Sequence, residues 1–270
     1  MVPCARRRTV TAPAIRRRHA RSRTLSRVLI AAFPAGPLAA NCYFVGRGPG
    51  AECVIVDPGM DSLTGIRNVV SEQNLTPVAV LVTHGHFDHM WQAADVAAEY
   101  DVPVWIHPAD RHLLADPMAA ISSESASMLR AQFGLDDVPE FHEPADVRDA
   151  TDGAVIEAAG LRFTVDHVPG HTPGTVVYRV DYTGDEPISQ VAFTGDFLFA
   201  GSIGRTDLVG GDMDEMAASL RSFMGLPDDV AVLPGHGGQS SIGRERATNP
   251  FVELYASSDA QDASTGGEDA

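Results

Sequence analysis

Residues 83–89 read Thr-His-Gly-His-Phe-Asp-His, which places His84, His86, Asp88 and His89 within six positions. Crowded imidazoles and carboxylates cost stability unless something binds them. Neutral imidazole together with carboxylate forms a good ligand set for zinc and for non-haem iron. A lone histidine is more often structural, but four donor residues on one short segment reverse that expectation and point to a metal. Three further segments share one design, a polar donor at a glycine-rich turn beside an apolar run. They are Pro169-Gly170-His171-Thr172-Pro173-Gly174, Thr194-Gly195-Asp196 and Pro234-Gly235-His236-Gly237. Glycine lets the backbone approach closely and adopt positive φ, which a crowded site needs.

These segments need a scaffold that gathers strand ends on one edge. Val28 to Phe33, Asn41 to Val45 and Cys53 to Val56 read as short strands, the last closed by the turn signal Asp57-Pro58-Gly59. Leu63, Ile66, Val69 and Val70 recur at helical spacing, and Val78 to Val82 reads as a buried strand. The histidine-rich segment then falls on a strand-to-helix loop, where function collects, ahead of a helix over Met90 to Tyr100 and a strand over Val104 to His107. Residues 109–150 are polar, with a partly helical stretch through Ile121 to Phe133 and Pro/Asp punctuation from Asp136 to Pro144. Strands resume at Leu161 to Val168, Thr175 to Val180 and Gln190 to Phe193, followed by a helix over Met213 to Met224 and a strand over Val230 to Leu233. Strands flanked by helices on both outer sides suit two packed sheets.

Charge is unevenly placed. Residues 1–27 hold nine arginines and no acid, which leaves eleven basic against 36 acidic residues in the remainder. So acidic a body repels nucleic acid and anionic membranes, so the expected partner is a small molecule. No run of about 18 apolar residues suggests a membrane span. Cys4, Cys42 and Cys53 lack any C-x-x-C spacing, and buried reduced thiols in a cytoplasmic protein are expected. All 20 basic side chains are arginine, a sign of a high-GC coding sequence. Residues 1–27 are expected to be a basic, disordered extension, read as translated upstream sequence with the true start near Val28. Residues 28–256 form one domain, and 257–270 an acidic, disordered tail. Oligomeric state is left open.

The order His84-x-His86-x-Asp88-His89, His171, Asp196, His236, preceded by Asp57 of Val56-Asp57-Pro58-Gly59, resembles the five-motif pattern of the metallo-β-lactamase superfamily. The resemblance implies an α/β fold, a four-layer αββα sandwich with metals at the edge where the sheets meet. It implies that His84, His86 and His171 hold one metal and that Asp88, His89 and His236 hold a second. Asp196 bridges them. Two divalent ions are implied, zinc first, with iron or manganese as alternatives. Within the superfamily the chain is similar to glyoxalase II-like thioesterases, the hydroxyacylglutathione hydrolases, in their short single-domain form. Phe199-Ala200-Gly201-Ser202-Ile203-Gly204-Arg205-Thr206-Asp207-Leu208 and Asn249-Pro250-Phe251 carry that likeness. The commonest β-lactamases of this superfamily carry cysteine where Asp196 stands, which argues against antibiotic hydrolysis. Only 34 residues follow His236, too few for the helical domain with which two-domain relatives bind glutathione.

The chemistry implied is hydrolysis of a thioester, such as an S-lactoyl or other S-2-hydroxyacyl thiol, by a metal-bridging hydroxide. Two metals about 3.5–4 Å apart lower the pKa of a shared water from 15.7 towards neutrality. A thiol of pKa about 8.5 departs as thiolate without a strong general acid, as an amide nitrogen could not. Asp88 is the expected catalytic residue, a ligand that also orients the hydroxide. Asp57 is expected behind the ligands, holding either a histidine or the Gly85 loop. Arg205 either meets a substrate carboxylate or pairs with Asp207. His19, His107, His112 and His142 read as surface or capping residues, His167 as a neighbour of the site, and Trp91 and Trp105 as core. Two rivals stand beside the hydrolase: an iron-dependent persulfide dioxygenase using His84, His171 and Asp196, and a catalytically inert metal-binding scaffold.

Overall fold

Strands β1 (Leu29–Ala35), β2 (Ala40–Gly46) and β3 (Glu52–Val56) run as an antiparallel meander. Helix α1 (Leu63–Gln73) carries the chain to β4 (Thr76–Leu81), and α2 (Phe87–Met90) with α3 (Ala93–Tyr100) carries it to β5 (Val104–Ile106). From β3 through β6 (Val147–Asp149) the pairing is parallel, and the first sheet has the order β1-β2-β3-β4-β5-β6. This computed structural model describes residues 28–122, 127, 128, 131 and 141–256. The proposed extension 1–27, the tail 257–270, most of the expected helix through Phe133, and Cys4 and His19 lie outside them.

The second sheet is built from β7 (Val155–Ala158), β8 (Leu161–His167), β9 (Val176–Asp181), β10 (Gln190–Gly195), β13 (Ala231–Pro234) and β14 (Ser240–Ser241). Its order is β14-β13-β10-β9-β8-β7, with a separate hairpin of β11 (Leu198–Phe199) and β12 (Ser202–Ile203). Helix α4 (Met213–Phe223) makes the crossover to the parallel strand β13, started by the Asp212 carboxylate capping the N–H groups of Asp214 and Glu215. Helices α5 (Ile242–Thr248) and α6 (Pro250–Ala256) close the described chain.

Alternation within the strands makes four layers. In β3, Val54 and Val56 enter a core shared with Phe163, Val165, Tyr178 and Phe193 of the second sheet, while Cys53 and Ile55 face Ile66 and Val96 of α1 and α3. In β9, Val176, Tyr178 and Val180 point into the same central core, while Val177 meets Met216 and Leu220 of α4. Both sheet faces are covered, so these strands read as unbroken apolar runs. The expected αββα sandwich is the fold observed. Cys42 and Cys53 are buried free thiols. No helix among the described residues is long and apolar enough to cross a membrane.

Some elements differ from expectation. The helix expected over Met90 to Tyr100 is two helices, and the first starts at Phe87, so Asp88 and His89 sit on a helical turn. The His86 carbonyl accepts from the N–H groups of His89 and Met90, which starts that turn early. It breaks at Gln92, whose N–H turns away to the Pro58 carbonyl and whose Oε1 accepts from the Leu63 N–H. Strands β6, β7, β11, β12 and β14 and helices α5 and α6 were not anticipated. Trp91 and Trp105 are both half-buried: Trp105 packs at the edge of the central core, while Trp91 lies outside it against Phe87 and Phe141. Trp105 lies under the Arg148 guanidinium, 5.5 Å from its ring centroid.

Candidate metal centre

The carboxyl ends of β4, β8, β10 and β13 meet on one edge of the sandwich, and each loop leaving them carries donors. The two sheets are tied there by backbone bonds, from Val176 N–H to the Thr83 carbonyl at 2.8 Å and from Asn41 N–H to the Gly235 carbonyl at 2.7 Å. A register shift between Phe193 and Gly195 pairs Gly195 with Pro234, which sets Asp196 and His236 at the same end of the two strands. All seven expected donors converge there. They fall into three overlapping groups, His84/His86/His171, His84/His89/Asp196 and Asp88/His89/His236, with the donor atoms within each no more than 4.8 Å apart.

Nε2 of His84, His86 and His171 and Oδ1 of Asp196 are buried without a hydrogen-bond partner among the described residues. Each such atom costs about 1–3 kcal/mol, so four aimed at one centre fit a cation and little else. The outer nitrogens set the inner ones. His89 Nδ1 donates to Asp57 Oδ2 at 3.0 Å, His171 Nδ1 to the Arg205 carbonyl at 2.7 Å, and His236 Nδ1 to the Leu38 carbonyl at 3.1 Å. His84 Nδ1 donates to Thr83 Oγ1 at 3.1 Å, since that hydroxyl gives its own proton to Asp57 Oδ2 at 2.7 Å. Each of these rings therefore turns a lone pair inward, the arrangement that metal-binding histidines require. Nε2 of His89 and Nε2 of His236 stand 3.3 Å apart, and Asp196 Oδ1 lies 3.2 Å from His89 Nε2. Lone pairs this close repel unless a cation lies among them.

Electrostatics agree with that geometry. Burial holds His84, His86 and His171 below the usual imidazole range, His86 at about 3, so they are neutral donors at pH 7. Burial opposes charge on His89 as well, yet Asp196 and Asp88 raise it well above that range. For Asp88 and Asp196 burial is outweighed by the neighbouring histidines, and both carboxyls are held low. Without metal, protons on the histidines would compensate these carboxylates; metal binding displaces them.

Asp57 settles between its two expected roles. It is buried with φ +52° and accepts from Thr83 N–H at 2.8 Å, the Thr83 hydroxyl and His89, so it holds the histidine. The Gly85 loop is held instead by Asp110, which the sequence did not single out. The buried Asp110 accepts from Gly85 N–H at 2.8 Å, Thr172 Oγ1 at 2.6 Å and Gly174 N–H at 2.8 Å. One carboxylate thus joins the loops bearing His86 and His171. Gly235 is required by space: a Cβ there would stand 2.2 Å from Asp196 Oδ1 and 2.5 Å from His89 Cε1. Arg205 forms the expected pair with Asp207, at 2.6 and 2.7 Å, and also lines the cavity over the donors. His167 donates from Nε2 to the Pro173 carbonyl at 2.9 Å and stacks on His107 at 4.0 Å, beside the His171 loop but outside the donor cluster. His112 and His142 are exposed.

The donors open into a cavity of about 670 Å³ walled by Leu38, Phe87, Ile121, Phe199, Ile203 and Leu208. Buried Glu245 pins the hairpin that carries Phe199 and Ile203, accepting from Gly201 N–H at 2.7 Å and Asn249 Nδ2 at 2.8 Å.

A four-layer αββα sandwich with histidine and aspartate donors clustered at the sheet edge defines a class of metal-dependent enzymes made up mostly of hydrolases. The family model for the metallo-beta-lactamase superfamily matches residues 35–236, and the chain belongs to that superfamily. An uncharacterized protein of Mycobacterium tuberculosis is 42% identical over 84% of this chain and 98% of its own length. The hydroxyacylglutathione hydrolase GloC of Haemophilus influenzae is 34% identical over 73% of this chain and 86% of its own. Among solved structures, the BLEG-1 B3 metallo-beta-lactamase has a TM-score of 0.68 at 33% identity, covering 83% of this chain and 99% of that one. TTHA1623 in a di-iron-bound form has a TM-score of 0.64 at 34% identity, covering 82% and 99%. The likeness to a B3 lactamase confines the argument from Asp196 to the cysteine-bearing class.

Proposed function

We propose that this chain is a two-metal hydrolase that cleaves thioesters of the S-2-hydroxyacyl-thiol type, acting on a small molecule in the cytoplasm. His84, His86 and His171 would hold one ion and Asp88, His89 and His236 the other, with Asp196 between them. Ions so bound supply a Lewis acid for the carbonyl oxygen and a nucleophilic water of near-neutral pKa. Zinc suits these nitrogen and oxygen donors, and the di-iron form of a similar structure keeps iron open.

The protein's own part is to fix and orient. Asp57, the Arg205 carbonyl and the Leu38 carbonyl lock three rings by their outer N–H groups. Asp88, held ionised by the neighbouring histidines, would accept a hydrogen bond from the attacking water and orient it; held so low, it positions the water rather than keeping its proton. One observation carries the choice of thioester. Among the described residues, the cavity offers no acidic proton donor to a leaving group beyond the donor set itself. A thiolate needs none, its conjugate acid having a pKa of about 8.5. The similarity to a hydroxyacylglutathione hydrolase supports the same choice.

Purified protein should hydrolyse an S-lactoyl thioester, followed by thiol release, while a β-lactam and a persulfide with oxygen are turned over poorly. Oxygen consumption with the persulfide, carried by one iron per chain, would make it a dioxygenase. Preferential opening of the lactam would make it a lactamase, and metal binding without turnover an inert scaffold.

A further inference from the structure

Resting on the thioesterase reading, we infer that the site selects thioesters whose organic groups are uncharged and apolar, rather than conjugates of an anionic thiol. The walls above the donors are Leu38, Phe87, Ile121, Phe199, Ile203 and Leu208. One arginine lines the cavity among the described residues, and one edge of its guanidinium, Nε and Nη2, already pairs with the Asp207 carboxylate, which offsets its charge. The chain has no lysine to add to it. A carboxylate carried by the thiol beyond the reacting carbonyl would therefore give up water and meet, among the described residues, mostly apolar walls and a single arginine already paired with a carboxylate, which disfavours binding. It would also approach Asp207, beside Arg205 at the cavity wall, within a body of eleven basic and 36 acidic residues.

The apolar walls are held open by design rather than by chance exposure. Leu38 is 41% exposed although its backbone carbonyl is fixed by His236, and Phe199 sits on the hairpin that Glu245 and Asn249 pin. Its ring lies 6.3 Å from that of His236, so an apolar group seated on Phe199 is next to the donors. A cavity of this size accommodates a small organic substrate, and apolar walls with few polar groups are what such sites use for affinity.

The test uses metal-loaded protein and two thioester series, the S-lactoyl esters of ethane-, butane- and hexanethiol, and acyl esters of one neutral thiol lengthened in the same steps. In at least one series kcat/KM should rise about two- to fourfold per methylene until the cavity is filled, and its best member should exceed S-lactoylglutathione at least tenfold. Flat profiles in both series, or preference for the glutathione conjugate, overturn the inference while leaving a thioesterase. If no thioester is cleaved, the thioesterase reading itself fails. Selection is then read by calorimetry of butanethiol against glutathione, both able to reach the metals through sulfur, and tighter binding of glutathione overturns it. Leu208→Arg, at a half-exposed position, should shift the kcat/KM ratio towards the glutathione conjugate by about tenfold with an unchanged melting temperature. An unchanged ratio in a folded variant counts against the inference.

Discussion

Replacing Asp57 by Asn changes one atom of the support behind His89, and the three groups that donate to it respond differently. Asp57 accepts three hydrogen bonds, from Thr83 N–H at 2.8 Å, Thr83 Oγ1 at 2.7 Å and His89 Nδ1 at 3.0 Å. An asparagine must turn its one carbonyl oxygen to the Thr83 backbone N–H, which cannot become an acceptor. Its NH₂ then faces the Thr83 hydroxyl, whose second lone pair can accept from it while the first still accepts from His84 Nδ1, and His89 Nδ1, which must give up its proton. His89 is driven to the tautomer with hydrogen on Nε2, the nitrogen that faces Asp196 at 3.2 Å and Asp88 at 3.6 Å. That nitrogen can no longer bind metal. Loss of such an orienting partner weakens metal binding about 10- to 100-fold, or about 1.4–2.8 kcal/mol. The φ of +52° at this position is one asparagine tolerates, so the backbone should hold. Competition with a chelator, followed by metal analysis, should show one site near wild type at His84/His86/His171 and a second weakened site at Asp88/His89/His236. Two sites of unchanged affinity would refute the tautomer argument.

Other substitutions test the neighbouring parts. Asp196→Ala should abolish turnover and lower bound metal; retained turnover would show that Asp196 does not join the two groups. Asp110→Ala leaves the N–H groups of Gly85 and Gly174 without their acceptor, at about 1–3 kcal/mol each where water cannot replace it, while the Thr172 hydroxyl keeps Thr175 Oγ1 as a partner. A drop in melting temperature together with weaker metal binding is expected, and a variant unchanged in both would remove its role in joining the loops. His107→Ala should leave activity near wild type and cost about 1 kcal/mol of stability through the lost stacking; a large fall in kcat would place it in the site.

The donors were legible because His84, His86, His171, Asp196 and His236 each lie beside a glycine just past a strand, with Asp88 and His89 clustered two to three residues further on, and the strands that carry them were legible because both sheet faces are covered, which leaves unbroken apolar runs. Asp110 was not legible. It stands in Pro108-Ala109-Asp110-Arg111 without the flanking glycine that marks the other segments, and its partners are 25, 62 and 64 residues away, joined only by folding. Asp57 was placed behind the ligands from its turn, but only geometry separates holding His89 from holding the Gly85 loop. The missed strands are two to four residues long. Too short for a period to register, they are fixed by pairing at a sheet edge or in the β11–β12 hairpin. Helix α5, with its Gly-Arg-Glu-Arg run, is held by the Arg246 contacts to Asp228 and the Leu226 carbonyl rather than by an apolar stripe.

Metal content of the purified chain, measured by mass spectrometry of the metals against protein concentration and repeated on Asp88→Ala, tests the donor assignment most directly. Two divalent ions per wild-type chain, and a fall towards one in the variant, is the expected result. One ion per wild-type chain, with no loss in the variant, would contradict a two-metal centre built from these seven residues.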